Sequence, residues 1–560
     1  MTHGRGSLTI EDILRINSFS TFYGKQFDVS DRLGMVAISV RKPLESASVF
    51  SVPFLDGNER GVMRCINIRD QTELQFNLDD GVGAFSPRWS LNCEQLAFCI
   101  TNGEWVRLAV GDPNTGDVRT VSDREIWLRP GMSPVAWLDQ QTIICELLEP
   151  GTKSVGVVSE TASARAVLSD WPDAWKGARA TAGLVRTLQG DRGFPVGALA
   201  TVDVRSGEVR EHLDITTAPA GVAAFGCRER EIPFEPERSL EDDAQTGELI
   251  ADGVYGESRI LCRSGENGTF VILNTGGGGD VVVYRADEFL INRGPFSNEI
   301  VEFGGNGSAK DRYILIEQCD GNGRKPVVLS IYPGYLVRED RTRFRNINNI
   351  SSLNPYLLAS MGFAIVRPEV DLSEVPAGGV ASQIEVAVSR CVENLVEHRN
   401  IDGSNVHVLG HSLGGWAALL MATRTNLFRS VIACSAPTNL ISLHGEIDVR
   451  SRYGDDFTYM SSLYESVFKL SGPPWRQLDT YVEHSPLFGV DAMNIPALLV
   501  HGDLDYVPIS QAEEFMSAME YSGKDARLLR LAGEGHVLAN PHNMRAFVAC
   551  VGDWLSEHHS

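Results

Sequence analysis

The spacing of apolar and polar positions divides this chain into two regions of different character. Residues from about 25 to 300 contain short apolar runs of strand length, whereas the later residues alternate strand-like runs with stretches of helical periodicity. This contrast predicts an all-β region followed by an α/β region. Before the first region, a short helix is predicted from Thr9, a helix-capping residue, and from the helical spacing of apolar positions up to Ile16.

The all-β region contains a repeated pattern of strands. Its clearest copy has four strand-like runs, at 86–90, 95–100, 105–110 and 112–119. Weaker copies lie around 27–30, 134–138 and 199–208. A repeat of roughly 40 to 50 residues of this type is typical of a propeller blade, so residues 25–305 are predicted to form a β-propeller of about six or seven blades. An irregular β-sandwich is the alternative.

The α/β region begins near a Gly-rich stretch at 303–308. Its first clear strand, 326–331, is a continuous apolar run, as expected for a strand of a parallel sheet that is covered on both faces. The pattern then predicts a helix end and a strand at 359–368 and a crossover helix at 384–398. Residues 306–560 are therefore predicted to form one doubly wound domain around a mostly parallel sheet.

Within this domain, residues 406–420 have the pattern of a nucleophile elbow. An apolar strand-like run leads into Gly410-His411-Ser412-Leu413-Gly414, and a helix-like run follows. Such a turn is so sharp that the residues flanking the serine must be small. It also places Ser412 at the start of a helix, where free backbone N–H groups favour an oxyanion. A plain Gly-rich turn is the alternative, but the strand before and the helix after favour an α/β hydrolase with Ser412 as nucleophile.

A serine nucleophile requires a histidine base and a carboxylate that orients it. In α/β hydrolases the carboxylate and the histidine follow the serine in that order. Asp503 and Asp505 come directly after a strand-like run at 495–500, and His536 follows another at 526–531. These positions are the carboxyl ends of strands, where open α/β sheets carry their sites. His536 is the predicted base, and three other histidines are weaker candidates: His411, His501 and His542.

These motifs resemble those of the prolyl oligopeptidase family of serine peptidases. The resemblance rests on Gly-His-Ser-Leu-Gly-Gly at 410–415, on His-Gly-Asp-Leu-Asp-Tyr-Val-Pro at 501–508 and on Glu-Gly-His at 534–536. It is specific over about residues 310 to 560 and only architectural before that. It implies that Asp505, not Asp503, is the carboxylate of the triad. It also implies that the propeller caps the active site and that residues 1–24 pack back on the hydrolase domain.

The resemblance also implies an oxyanion hole. Tyr332 directly follows the strand at 326–331, where hydrolases place the second oxyanion donor. The family pattern puts a tyrosine hydroxyl there, which would act together with the backbone N–H of Leu413. The alternative is that Tyr332 only packs.

A less regular insert, residues 443–486, separates the elbow from Asp505. Loops of this length near a hydrolase site usually shape substrate pockets. With the segments 502–509 and 534–537, the insert resembles the lasso-peptide isopeptidase branch of the family. That closer resemblance implies hydrolysis of the side-chain-to-N-terminus amide of a threaded peptide ring. Three alternatives stay open: a general oligopeptidase, an esterase on the same fold and a binding protein with an inactive hydrolase domain.

Composition and charge limit the classes of molecule that this chain is expected to bind. The chain has 560 residues, 43% hydrophobic and 22% charged, which is ordinary for globular proteins of two or three domains. A net charge of −23 argues against nucleic acid and anionic membranes as partners. The N-terminus lacks a signal-peptide core, and no run approaches the roughly 20 apolar residues of a membrane span. A cytoplasmic protein with a peptide substrate is expected.

Motifs for cofactors and metals are missing from the sequence. The ten cysteines have no metal-binding spacing and are expected to be reduced, buried small hydrophobes. No Walker-type loop and no His-Glu-x-x-His stretch occurs. The four glycines at 276–279 lie between strand-like segments with no helix after them, so a wide turn is expected there and not a phosphate loop. The sequence therefore predicts no cofactor and no metal.

Overall fold

The computed structural model describes residues 6–19, 23–24, 27–46, 57–129, 131–153, 171–178, 197–212, 222, 225, 248–256, 258–265, 268–274, 280–304, 310–319, 323–337, 347–397, 401–446 and 465–559. This described part contains four four-stranded antiparallel sheets and one mixed sheet of eight strands. The small sheets lie before residue 287, and the large sheet begins at residue 296. This is the predicted fold class, a β-propeller type of domain followed by an α/β-hydrolase domain.

Each small sheet is a meander whose strands pair in chain order. The strands of the four sheets are β1 (Phe27–Ser30), β2 (Met35–Arg41), β3 (Gly61–Asn67) and β4 (Glu73–Gln75); β5 (Gly83–Trp89), β6 (Leu96–Thr101), β7 (Val106–Gly111) and β8 (Val118–Thr120); β9 (Val135–Trp137), β10 (Thr142–Leu147), β11 (Ala198–Asp203) and β12 (Val209–Glu211); and β13 (Glu248–Tyr255), β14 (Ser258–Gly265), β15 (Gly268–Asn274) and β16 (Asp280–Ala286). The copies predicted around 27–30 and at 86–119 lie in the first and second sheets. Those predicted around 134–138 and 199–208 belong to the same sheet, the third, so their separation into two repeats is wrong.

Three pairs of these sheets pack face to face, as propeller blades do. Met63 and Cys65 of the first sheet share a core with Phe98 of the second. The second and third sheets share another, which contains Phe85 and Ile143. Side chains of the fourth sheet join a core with the first, so the last described sheet packs against the one that begins the array. The described residues hold four such sheets, and the count of six or seven blades stays a prediction.

The large sheet has the strand order β17-β18-β20-β19-β21-β22-β23-β24. Its strands are β17 (Phe296–Phe303), β18 (Asp311–Gln318), β19 (Lys325–Ser330), β20 (Ala364–Pro368), β21 (Ile401–His411), β22 (Val431–Cys434), β23 (Ala497–Gly502) and β24 (Ala526–Leu531). The first three strands in this order pair antiparallel, and all later pairs are parallel. The sequence predicts that the domain starts at residue 306. Because β17 belongs to the large sheet, this sheet begins earlier, at Phe296.

Both faces of the large sheet are covered, which explains its continuous apolar strands. Along β19, Val327 and Leu329 face one core and Val328 faces the other. The helices of the described residues are α1 (Ile10–Leu14), α2 (Trp171–Trp175), α3 (Pro355–Ala359), α4 (Val380–Glu397), α5 (Leu413–Arg424), α6 (Leu440–His444), α7 (Leu478–Glu483), α8 (Ser510–Tyr521) and α9 (Pro541–Glu557). Short 3₁₀ helices span Leu44–Ser46, Asn58–Arg60, Glu288–Asn292 and Pro486–Ala492. The crossover helix expected at 384–398 is α4.

The N-terminal helix α1 packs against the α/β domain. Thr9 caps it and forms a capping box with Asp12. Ile13 is fully buried in the core that α9 also lines. Arg293 donates two hydrogen bonds to the Asp12 carboxylate, of 2.7 and 2.8 Å, and Arg545 of α9 pairs with Glu11 at 2.7 Å. Apolar packing and ion pairs therefore both hold this segment in place.

Two other expectations concern cysteines and membranes. Five of the eight described cysteines are buried, but Cys319 is exposed, so the expectation of a uniformly buried set is wrong. In the part of the chain that the structure describes, no helix has the length and apolar character needed to cross a membrane. The glycines 276–279 lie outside the described residues.

Candidate active site

Ser412 stands in a strained turn between β21 and α5. Its backbone has φ 59° and ψ −124°, a conformation that non-glycine residues rarely adopt and that marks functional sites. A Cβ atom added to Gly410 would collide with the carbonyl oxygen of Gly414, and one added to Gly414 would collide with the carbonyl oxygen of Ile331. The two flanking glycines are therefore required by close backbone contacts, as the elbow pattern predicted.

Hydrogen bonds hold this turn in the sheet. The Ser412 N–H donates to the carbonyl oxygen of Cys434 on β22, 2.8 Å away. Trp416, in the first turns of α5, is fully buried, and its indole N–H donates to the carbonyl oxygen of His484 at 2.6 Å. The elbow is thus fixed by the neighbouring strand on one side and by the insert on the other.

The structure brings Ser412, His536 and Asp505 together. The Oγ of Ser412 lies 2.8 Å from Nε2 of His536, and Nδ1 of His536 lies 2.8 Å from Oδ1 of Asp505. An ionised carboxylate can only accept, so Nδ1 carries the proton and Nε2 is free to accept from the serine hydroxyl. The three side chains form a continuous hydrogen-bonded chain that is poised to remove the Ser412 proton.

The environment of Asp505 favours its ionised form. The side chain is 1% exposed, and its Oδ1 also accepts from the N–H of Val507 at 2.9 Å. Burial raises the pKa of this carboxyl, but the hydrogen bond from His536 and the interactions with His501 and Ser435 outweigh that effect, so the pKa lies below its ordinary value. Asp505 therefore remains a charged acceptor for His536 at neutral pH.

Asp503, unlike Asp505, lies at the surface and bonds to the backbone of another loop. It is exposed, and its Oδ1 accepts a hydrogen bond of 2.7 Å from the N–H of Gly533. That contact ties the loop after β23 to the loop after β24. Asp503 thus serves the turn, while Asp505 is the carboxylate in contact with His536.

Glu534, two residues before His536, is a buried carboxylate that sequence reasoning treated only as part of a motif. It is 2% exposed and accepts hydrogen bonds from the N–H groups of Ala539 and Asn540 and from the side-chain amide of Asn543, at 2.9, 3.1 and 2.8 Å. Its own carbonyl oxygen accepts from Leu504 N–H at 2.9 Å. Glu534 therefore braces the loop that carries His536. An acidic residue between glycines gave no sequence signal of this burial.

The side chains of the other candidate histidines have other partners or face solvent. His411 donates from Nε2 to the backbone carbonyl oxygen of His536 at 2.6 Å, and burial lowers its pKa to about 4. His501 donates from Nε2 to the carbonyl oxygen of Val507 at 2.8 Å, and burial also lowers its pKa. His542 is exposed in the first turn of α9. His411 and His501 are therefore neutral supports of the two loops.

Tyr332 lies next to the elbow. It follows β19 and is 37% exposed, and a Cβ atom added to Gly414 would lie 3.3 Å from its ring. The guanidinium carbon of Arg367 lies 5.8 Å from the centre of the Tyr332 ring and 4.3 Å from that of Tyr335. Leu413 begins α5, so its N–H is one of the helix-terminal donors without an intrahelical partner. The Tyr332 ring and the Leu413 N–H thus both border the turn that carries Ser412.

The described part of the insert contains a group of aromatic rings around His444. Its Nε2 lies 2.8 Å from Oε1 of Glu465, and the rings of Trp475 and Tyr481 lie 5.4 and 5.9 Å from its own. Trp475 is 75% exposed, which leaves an aromatic surface at the edge of the domain. Residues 447–464 of the insert lie outside the described residues. Among the described residues, no group of three or more His, Cys, Asp or Glu side chains could hold a metal ion.

The C-terminal part of this chain is similar in sequence to known peptidases. Residues 388–560 match the family model described as Prolyl oligopeptidase family. The uncharacterized peptidase YuxL of Bacillus subtilis is 24% identical over 254 residues, which is 43% of this chain and 36% of that protein. The acylamino-acid-releasing enzyme of Arabidopsis thaliana is 22% identical over 277 residues, 48% of this chain and 36% of that protein. The chain thus spans about a third of the length of these relatives.

Two solved structures are similar over nearly the whole chain. The apo AtxE2 isopeptidase aligns with a TM-score of 0.63 and 14% identity, covering 99% of this chain and 96% of that one. The acylaminoacyl peptidase of Pyrococcus horikoshii aligns with a TM-score of 0.59 and 12% identity, covering 99% of this chain and 98% of that one. At such identities the likeness establishes the arrangement of a propeller-like β domain before an α/β-hydrolase domain.

Proposed function

We propose that this chain, which belongs to the prolyl oligopeptidase family and is a serine peptidase, cleaves an amide bond of small peptides through an acyl-enzyme formed on Ser412. The observation that carries the proposal is the position of His536, whose two ring nitrogens lie 2.8 Å from Ser412 Oγ and 2.8 Å from Asp505 Oδ1. The strained elbow and the buried carboxylate support the same assignment.

In this mechanism His536 takes the proton of Ser412 as Oγ attacks the carbonyl carbon. Asp505 holds the imidazole in the required tautomer and stabilises the imidazolium that forms. His536 then gives the proton to the leaving amine, and the acyl group stays on Ser412 as an ester. Water, deprotonated by the same histidine, hydrolyses that ester and restores the serine.

The oxyanion of each tetrahedral intermediate is assigned to two donors, the Tyr332 hydroxyl and the Leu413 N–H. Each donor is worth about 3 kcal/mol of the barrier. The position of Tyr332 beside the first turn of α5 supports this assignment. The guanidinium of Arg367 lies over the rings of Tyr332 and Tyr335.

The substrate we propose is a small peptide, and in particular a threaded lasso peptide cleaved at its ring isopeptide bond. A propeller that precedes the hydrolase domain limits the size of what reaches Ser412, so folded proteins are spared. The similarity in fold to the AtxE2 isopeptidase, one structure of which contains bound Astexin3-dC4, supports the finer assignment. A threaded ring presents its amide on a rigid surface, whereas fixing an unthreaded chain costs roughly 1 to 2 kcal/mol per residue.

The test compares three substrates with one enzyme preparation: a threaded lasso peptide, its unthreaded topoisomer and a panel of linear peptides. We expect hydrolysis of the ring amide in the threaded form alone. Equal cleavage of both topoisomers, or efficient cleavage of linear acylated or proline-containing peptides with the threaded form untouched, would indicate a general oligopeptidase. Turnover of simple esters without any amide would indicate an esterase.

A further inference from the structure

A cavity of about 140 Å³ lies beside His536, at the carboxyl ends of three parallel strands. Buried side chains line its interior: Cys434 of β22, Val500 of β23 and Phe547 of α9. Val537, the residue after His536, also lines the cavity and is 45% exposed. The cavity thus extends from the buried edge of the sheet to the solvent-exposed loop that carries His536.

The wall of this cavity is uncharged. Leu353 and Leu538 contribute apolar surface, and Ser352 contributes a small hydroxyl. The imidazoles of His411 and His501 also line it, and burial keeps both neutral at pH 7 by lowering their pKa values. Among the described residues that line the cavity, none is Asp, Glu, Lys or Arg. Entry of a charged side chain would leave that charge unpaired, which is costly.

The volume suits one side chain. A cavity of about 150 Å³ lined by apolar groups accommodates a molecule of the size of benzene. The space beside His536 is of that order, so a leucine or phenylalanine side chain fits, while a glycine leaves the space unfilled.

The location of the cavity relative to the reaction identifies the ligand. In the mechanism above, His536 delivers its proton to the leaving amine, so the residue that carries this amine lies next to His536. We propose that the cavity is a subsite for the side chain of the first residue on the leaving side of the scissile amide, and that it selects an uncharged apolar side chain between leucine and phenylalanine in size. This inference rests on the proposed function, because it requires an acyl-enzyme on Ser412.

The subsite is tested by running the second half-reaction with amines. An amine that attacks the acyl-enzyme occupies the position of the leaving amine in reverse: its nitrogen bonds to the acyl carbon, the ester bond to Ser412 Oγ breaks, and His536 carries the amine proton to that oxygen. A p-nitrophenyl ester of an acylated amino acid serves as acyl donor. Glycinamide, leucinamide, phenylalaninamide and the α-amide of aspartic acid compete with water, and the ratio of amide to acid product is measured.

We expect leucinamide to capture the acyl group about 10-fold or more better than glycinamide or the aspartic acid amide, since single methylene groups in apolar pockets already discriminate by this factor. Ser352→Leu, which fills the cavity, should remove the preference for leucinamide while hydrolysis of the ester in water continues. Leu538→Ala enlarges the cavity at its partly buried wall and should shift the preference towards phenylalaninamide. This second variant tests the subsite even if Ser352→Leu does not fold.

The outcomes separate this inference from the proposed function. Two outcomes would overturn the subsite and leave the peptidase assignment standing. One is acylation of Ser412 with equal capture of leucinamide and glycinamide, and the other is an unchanged preference in folded Ser352→Leu. In either case the cavity holds only water. Failure of the ester to acylate Ser412 would overturn both.

Discussion

The imidazole of His411 donates a hydrogen bond from Nε2 to the backbone carbonyl oxygen of His536, and the two atoms lie 2.6 Å apart. His411 precedes Ser412 in the elbow, so this contact joins the strand that carries the nucleophile directly to the loop that carries the base. The two imidazole rings lie 4.7 Å apart. His411 is thus a positioning residue for His536.

Replacement of His411 by Ala should lower kcat on the order of 10-fold to 100-fold with little change in KM, because a displaced His536 no longer meets Ser412 at the right distance. His411→Gln keeps an N–H donor and should retain more activity. Steady-state kinetics on a chromogenic ester measures both. A kcat equal to that of the wild type in His411→Ala would remove the positioning role, and a complete loss in folded His411→Gln would mean that an N–H donor at this position is not enough to explain the role of His411.

The two aspartates after β23 should differ sharply. Asp505→Asn should cost on the order of 10⁴ in rate, because an amide that donates to Nδ1 holds His536 in the wrong tautomer. Asp503→Asn should cost little, since its side-chain oxygen can still accept from the Gly533 N–H. Each variant serves as the control of the other. Reversed effects would mean that the carboxylate has been misassigned.

Glu534 should matter for both stability and rate. Glu534→Ala leaves part-buried N–H donors of the His536 loop without this acceptor, which should lower the free energy of unfolding by about 1 to 3 kcal/mol and reduce kcat more than it raises KM. Glu534→Gln retains one oxygen acceptor, so its stability and kcat should lie between those of the wild type and those of Glu534→Ala. Glu520→Ala removes an exposed carboxylate on α8 and is the matched control. Unaltered kinetics in Glu534→Ala would limit this residue to a role in folding.

Acid should destabilise the α/β domain through His407. This side chain is fully buried beside Ser430, with Nδ1 2.8 Å from the serine Oγ, and burial lowers its pKa from 6.5 to about 4. Between these values the unfolded chain binds a proton that the folded chain does not, so stability falls as the pH drops from about 6.5 to 4, by roughly 1.4 kcal/mol per pH unit.

The measurement is urea unfolding at pH 7 and pH 5. The wild type should lose more stability than His407→Gln between these two pH values, by an amount on the order of 2 kcal/mol. The same dependence on pH in both proteins would show that His407 titrates normally when folded.

Much of the fold was predictable because it depends on local periodicity. The strand, turn and helix around Ser412, the strands before Asp505 and His536, and the meander that begins at β5 all have their own sequence patterns. The exact start of the large sheet was not predictable, because β17 joins this sheet through its pairing with β18, which lies further along the chain.

The supporting contacts of the site were also hidden. Asp503 and Asp505 are chemically identical and two residues apart, so only the resemblance favoured one of them before the distance to His536 was known. The roles of His411 and Glu534 arise from contacts with backbone groups of another loop, which leave no pattern in side-chain chemistry. The cavity beside His536 forms where several distant segments meet, and no single segment encodes it.

The most direct test of the central claim is acylation of Ser412. Wild type and Ser412→Ala are treated with a fluorophosphonate probe, the labelled peptide is identified by mass spectrometry, and hydrolysis of a peptide substrate is measured beside the thermal unfolding of both proteins. The account predicts a label on Ser412 alone, and a Ser412→Ala protein that is unlabelled, unfolds at the same temperature and has lost hydrolysis. A folded Ser412→Ala that retains more than residual hydrolysis, or a label on another residue, would contradict it.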